Sequence, residues 1–167
     1  TNREYTRVNA PPTLGITGSY QNTPTPTVVI RKDGEAWDKP FAVVYEPYYG
    51  DNTNSVTQVT NITRDGTFKG MEVLSTVDGN TIKQIILVTD NDDGVFNDAT
   101  LAVEFTGRFI VLSLDEDDEL SSIYMGKGSY IKYKGWDISS ADGNATSFYV
   151  DIVNNNASIT TNSELIY

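Results

Sequence analysis

The sequence predicts an all-β protein, an antiparallel β-sandwich of jelly-roll type with about ten strands. Three observations lead there. Short runs rich in Val, Ile, Thr, Tyr and Phe recur along the whole chain, separated by clusters of Gly, Asn, Asp and Pro. No segment sustains a helical apolar period. Asp78-Gly79 in "TVDGNT" and Asp65-Gly66 in "TRDGTF" each lie between two such runs, a strong short-range signal for a tight hairpin.

Residues 1–25, with Pro11, Pro12 and Pro24, read as a linker or an extended edge segment, and residues 26–167 as the sandwich domain. Strands are expected near Thr27–Arg31, Phe41–Tyr45, Ser55–Thr63, Lys69–Val77, Thr81–Thr89, Leu101–Phe105, Phe109–Leu114, Leu120–Met125, Ser129–Lys134 and Ser147–Val153, with Leu165-Ile166-Tyr167 as a last short one. Alternation in Lys69–Val77 sets Met71, Val73 and Val77 opposite Glu72, Leu74 and Thr76, the pattern of a half-buried strand. "QIILV" (Gln84–Val88) and "FIVLSL" (Phe109–Leu114) are almost continuously apolar, which predicts strands covered on both faces. Phe41–Tyr45 reads as a buried strand that Pro47 terminates.

Composition narrows the chemistry. The 167 residues include no Cys and no His. Disulfides, thiolate metal sites, a Cys nucleophile and every His-based catalytic pair are therefore excluded. Twelve Lys and Arg against 23 Asp and Glu give a net charge of −11, which repels a polyanion at long range, so nucleic acid is not an expected partner. No apolar run approaches the ~20 residues that span a bilayer. The start at Thr1, without Met or a basic and apolar leader, reads as a mature form or a piece of a longer protein.

Three places carry candidate chemistry. In "GKGSYIKYKGW", a strand running from Ser129 to Trp136 would set Tyr130, Lys132, Lys134 and Trp136 on one face. Two rings interleaved with two ammonium groups suit an anionic sugar, since rings stack on pyranose CH faces and Lys pairs with carboxylate or sulfate. The bland alternative is a solvated face whose Lys stems cover the rings. Trp37, Tyr48 and Tyr49 are second choices for sugar contact, with Trp37 also suited to lie as a lid on the core. Glu46 beside them lacks the partner that acid and base chemistry needs. In "TDNDDGVFND", Asp90, Asp92 and Asp93 resemble the start of a calcium loop, but the position where an EF-hand needs a bidentate Glu is Leu101. A structural Ca2+ there competes with a polar hairpin turn, and "DEDDE" (Asp115–Glu119) reads as a solvated turn.

The stretches "APPTLGITGSYQNTPTPTVVIRKDGEAWDKPFAVVYEPY", "GTFKGMEVLSTVDGNTIKQIILV" and "VFNDATLAVEFTGRFIVLSLDEDDELSSIYMGKGSYIKY" resemble the C-terminal β-sandwich region of heparinase II/III-like polysaccharide lyases of Bacteroidetes, over about Ala10 to Trp136. In those enzymes the catalytic His and Tyr lie elsewhere, so no catalytic residue carries over. The resemblance implies a secreted, periplasmic or cell-surface accessory domain joined to a parent catalytic domain. It would act as a non-catalytic carbohydrate-binding module for an algal or acidic polysaccharide, raising local enzyme concentration on the polymer. The alternatives are a structural sandwich that only packs on its enzyme, and a small β-jelly-roll lyase using Tyr and carboxylates.

Overall fold

A computed structural model describes residues 3–10, 25–33, 41–47, 54–154 and 156–167. Its elements are strands throughout, with no helix among the described residues. β1 (Arg3–Ala10) and β2 (Thr25–Lys32) pair antiparallel with each other, so the expected edge segment is itself a strand. The chain divides into two compact units, Thr1–Phe41 and Ala42–Tyr167.

The second unit holds β3 (Val56–Arg64), β4 (Thr67–Val77), β5 (Asn80–Val88), β6 (Val95–Asp98), β7 (Val103–Leu114), β8 (Leu120–Tyr133), β9 (Trp136–Ser140), β10 (Thr146–Val153), β11 (Asn156–Thr161) and β12 (Leu165–Ile166). These ten strands form one antiparallel hydrogen-bonded sheet. Its spine is the β7–β8 hairpin, which reads in the sequence as four short strands and is two long ones. Near the hairpin turn, Phe109–Leu114 pair with β5 and Ser122–Gly128 pair with β10, giving the order β11-β10-β8-β7-β5-β4-β3. At the other end, Val103–Thr106 pair with β6 and Tyr130–Tyr133 pair with β9, which carries β12.

The ladder shifts register between these halves, where Gly107 lies opposite Gly128. A Cβ on Gly107 would come within 2.6 Å of the Gly128 Cα, and one on Gly128 within 2.6 Å of the Thr106 carbonyl oxygen. Backbones that close exclude a side chain, so the bulge can form only with glycine here.

Side chains from both halves join one hydrophobic cluster. Phe96, Phe105, Ile131 and Ile138 meet Leu87, Ile110, Leu112, Ile123, Met125 and Phe148 in it, and Phe96 stacks on Phe105 with centroids 5.4 Å apart. Strict alternation builds this face: Ile85 and Leu87, then Ile110, Leu112 and Leu114, are buried. The residues between them, Ile86, Val88, Phe109 and Val111, are only half-buried. Continuous apolarity therefore marks one covered face and one partly open face, which corrects the expectation of cover on both.

The expected buried strand at Phe41–Tyr45 is not formed. Residues 41–47 have no strand pairing, and Tyr45 is 87% exposed. An apolar run becomes a strand only where a ladder partner is available, and this one has none among the described residues. Glu46 instead ties the segment to the start of β3 by accepting the backbone N–H groups of Ser55 and Val56, the latter at 3.1 Å.

Candidate functional site

Tyr130, Lys132, Lys134 and Trp136 do not share a face. Lys134-Gly135 is a two-residue turn with both φ angles positive (48° and 85°), and Tyr133 pairs with Trp136 across it. The reversal puts Trp136 on the side of Ile131, Tyr133 and Ile138, packed against the core. Tyr130 and Lys132 lie on the opposite side, paired with Ser139 and Asp137. Burial pushes the Tyr133 phenol up to about 12, with help from the carboxylates of Asp118 and Glu72, so it is no base near neutrality.

The two ammonium groups are also matched by carboxylates. Lys132 Nζ lies 4.0 Å from Asp137, and Lys134 Nζ donates to Asp118 at 3.2 Å beside Lys83, which pairs with the same carboxylate. Lys83 and then Lys134 hold the Asp118 carboxyl below its usual range. Because Asp118 keeps Lys83 and Lys134 is exposed, Lys134→Ala should cost under ~1 kcal/mol in chemical denaturation. Trp136→Ala should cost about 2 kcal/mol, since its ring packs on the cluster. A stability change confined to the Lys variant would contradict this placement. Trp37, Tyr48 and Tyr49 lie outside the described residues.

The candidate calcium residues sit in the Thr89–Gly94 turn before β6. Asn91 Oδ1 accepts the Asp93 N–H at 3.1 Å, a local turn bond. Asp92 reaches across to the hairpin bulge, 2.6 Å from Arg108 Nε and 3.7 Å from Lys127 Nζ. Arg108, and more weakly Lys127, hold its carboxyl below the usual range. Asp90, Asp92 and Asp93 do not converge, and no three acidic groups among the described residues are placed to hold a metal ion. The segment works as a turn and a brace for the bend.

The carboxylates whose titration is displaced all move the same way. Asp98 is held down first by Arg64 and then by the N–H groups of Leu101 and Thr100, and Asp142 by Asn144. Glu46 is held down by Ser55 and Val56. A general acid working near neutrality needs the opposite displacement.

The open sheet face carries a feature that residue-by-residue reading did not bring together. Tyr149 pairs with Tyr124, Tyr124 with Val111, Val111 with Ile86 and Ile86 with Met71, one row across five strands. Tyr124 and Tyr149 are 39% and 40% exposed. Phe109 lies beside them, its centroid 5.6 Å from that of Tyr124 and its ring filling the space over Gly126. A parallel row two residues along runs Asp151, Ser122, Ser113, Gln84, all polar. The face is closed at Met71 and Val73, which are buried, and open from β5 to β10. The signal was the alternation in "SIYMG" and "SFYVD", where each Tyr stands between two buried residues.

The described part of the second unit is thus all-β, with an open aromatic face, in a chain that contains no His. A family model described as the endo-acting ulvan lyase C-terminal domain matches residues 56–151, and the chain belongs to that family. The resemblance drawn from sequence holds at the level of a polysaccharide lyase C-terminal domain family; the matching family is named for ulvan lyases rather than heparinase II/III-like enzymes. The chain is 37% identical over 139 residues to an endo-acting ulvan lyase of Formosa agariphila (strain DSM 15362 / KCTC 12365 / LMG 23005 / KMM 3901 / M-2Alg 35-1), a match covering 83% of this chain and 17% of that protein. No solved structure matches the chain.

Proposed function

We propose that this chain is the non-catalytic, polysaccharide-binding accessory domain of an ulvan-degrading lyase, joined to a catalytic domain elsewhere in the same protein. Membership of the ulvan lyase C-terminal family is the observation that carries the reading. The downward displacement of Glu46, Asp92, Asp98, Asp118 and Asp142 supports the non-catalytic part. These side chains are anions committed to cations or polar N–H donors, not proton donors waiting for a leaving group.

Such a domain acts by raising the effective concentration of its enzyme on the polymer. Its site of action is outside the cytoplasm, secreted or at the cell surface, where a polymer too large to enter the cell is met. Calcium has no part in this proposal, because Asp92 is already taken up by Arg108 and Lys127. The test is electrophoresis of the 167-residue chain through gels with and without ulvan, beside an ultraviolet assay for unsaturated products. Retardation without product is expected. Free migration would overturn the binding role, and product release would overturn the non-catalytic one.

A further inference from the structure

We propose that the open face of the sheet is the polysaccharide platform, and that it recognises sugar rings and hydroxyl groups rather than their anionic substituents. The inference rests on the binding role proposed above and assigns it a place and a chemistry.

Tyr124 and Tyr149 occupy paired positions on neighbouring strands, about 5 Å apart. Both rings are part-exposed between buried neighbours, so the sheet holds them on its outer side. Phe109 backs Tyr124, which restricts that ring before a ligand arrives. Side-chain rings of this kind offer apolar faces to pyranose CH groups, and the phenol oxygens add hydrogen bonds at the rim.

The adjacent row supplies the rest. Asp151, Ser122, Ser113 and Gln84 lie on the same face, and their side chains have no hydrogen-bond partner among the described residues. A docked protein surface would have to satisfy each of these groups as it buried them, or lose stability. A sugar brings a hydroxyl donor and acceptor to every ring and satisfies them as it binds. The occupant that fits two rings beside a polar row is therefore a polysaccharide chain.

The two rows that carry the rings and the polar groups hold no Lys or Arg from β5 to β10: they are Ile86, Val111, Tyr124 and Tyr149, and Gln84, Ser113, Ser122 and Asp151, while Arg108 and Lys127 at the bulge are paired with Asp92. With a net charge of −11 on the chain, long-range attraction to a polyanion is excluded as the source of affinity. Contact made by stacking and hydrogen bonding is short-ranged, so added salt, which screens the general repulsion, should leave it unweakened.

The experiment is affinity electrophoresis of wild type and the double variant Tyr124→Ala, Tyr149→Ala, in native ulvan and in chemically desulfated ulvan, at low and raised NaCl. Circular dichroism confirms that the variant is folded, and the part-exposed positions of both rings make this the expected result. Wild type should be retarded by both polymers, with retardation held or increased by salt. The variant should lose affinity by about tenfold or more. A folded variant that binds as wild type does overturns the platform and leaves the binding role standing. Retardation of wild type only by sulfated polymer, or its release by salt, overturns the ring-directed chemistry. Failure of wild type to bind either polymer overturns the role and the platform together. Loss of binding to the isolated catalytic domain instead, with glycan affinity unchanged, would make the face a protein-docking surface.

Discussion

Gly70→Ala should destabilise the chain by about 3 kcal/mol and lower its Tm by about 10 °C. Gly70 lies in β4 between Ile62 of β3 and Leu87 of β5. A Cβ there would stand 1.9 Å from the Ile86 carbonyl oxygen and 3.0 Å from the Leu87 Cα. Both obstacles are backbone, so no rotamer change relieves them. The strands must separate instead, which loosens ladder bonds on both sides of β4 and the packing of Ile62 and Leu87. Gly79→Ala is the control, because its Cβ meets nothing within 4 Å. The control bears only the penalty of a side chain at φ 85°, about 1 kcal/mol. Urea unfolding of both variants separates the effects; equal losses would mean that β4 yields to the added methyl group and that close strand approach at Gly70 is not a constraint.

Gly70 also shows why much of the fold was legible and some of it was not. The Asp65-Gly66 and Asp78-Gly79 turns were readable because the chemistry of a two-residue hairpin is local, and both are in place. Lys134-Gly135 makes the same turn where the sequence pattern predicts strand, since Lys adds none of the side-chain hydrogen bonding that makes Asp and Asn turn-forming. That single reversal dissolved the four-residue face drawn through Tyr130 and Trp136. Gly107, Gly126 and Gly128 looked like breaks between short strands, whereas they let one long hairpin bend without a side-chain clash. The elements β6, β9 and β11 are only four to six residues long, so their apolar signal is weak. Tyr124 and Tyr149 were each readable as outward-facing, but their adjacency depends on β8 pairing with β10, a non-local contact that alternation does not encode. The all-β class is legible from composition and pattern because it needs only the average of many residues, whereas the kind of protein rests on resemblance to a family. The candidate platform is not legible there, because it depends on which strands are neighbours.

Asp98→Ala should cost about 2–3 kcal/mol at neutral pH, with a deficit that shrinks in acid. The Asp98 side chain is only 4% exposed and ion-pairs with Arg64 at the end of β3. Its Oδ1 accepts the N–H groups of Thr100 and Leu101 at 2.9 and 3.0 Å, closing the turn between β6 and β7. Alanine leaves both donors unmatched and Arg64 without its carboxylate. The pH dependence follows from the direction of the shift: Arg64 first, with the two N–H groups, holds the folded carboxyl below the unfolded Asp value of ~3.9, against the opposing effect of burial. Between those two values the unfolded chain binds the extra proton, so acid favours unfolding there. The stabilisation is complete above about pH 4 and is lost as pH falls through the folded pKa. Asp92 and Asp118, also held low, give wild type and variant the same additional acid sensitivity, so the difference between the two proteins isolates Asp98. Unfolding free energies measured from pH 7 down to about pH 2 should converge; a deficit independent of pH would mean that Asp98 is not bound as an anion in the folded chain.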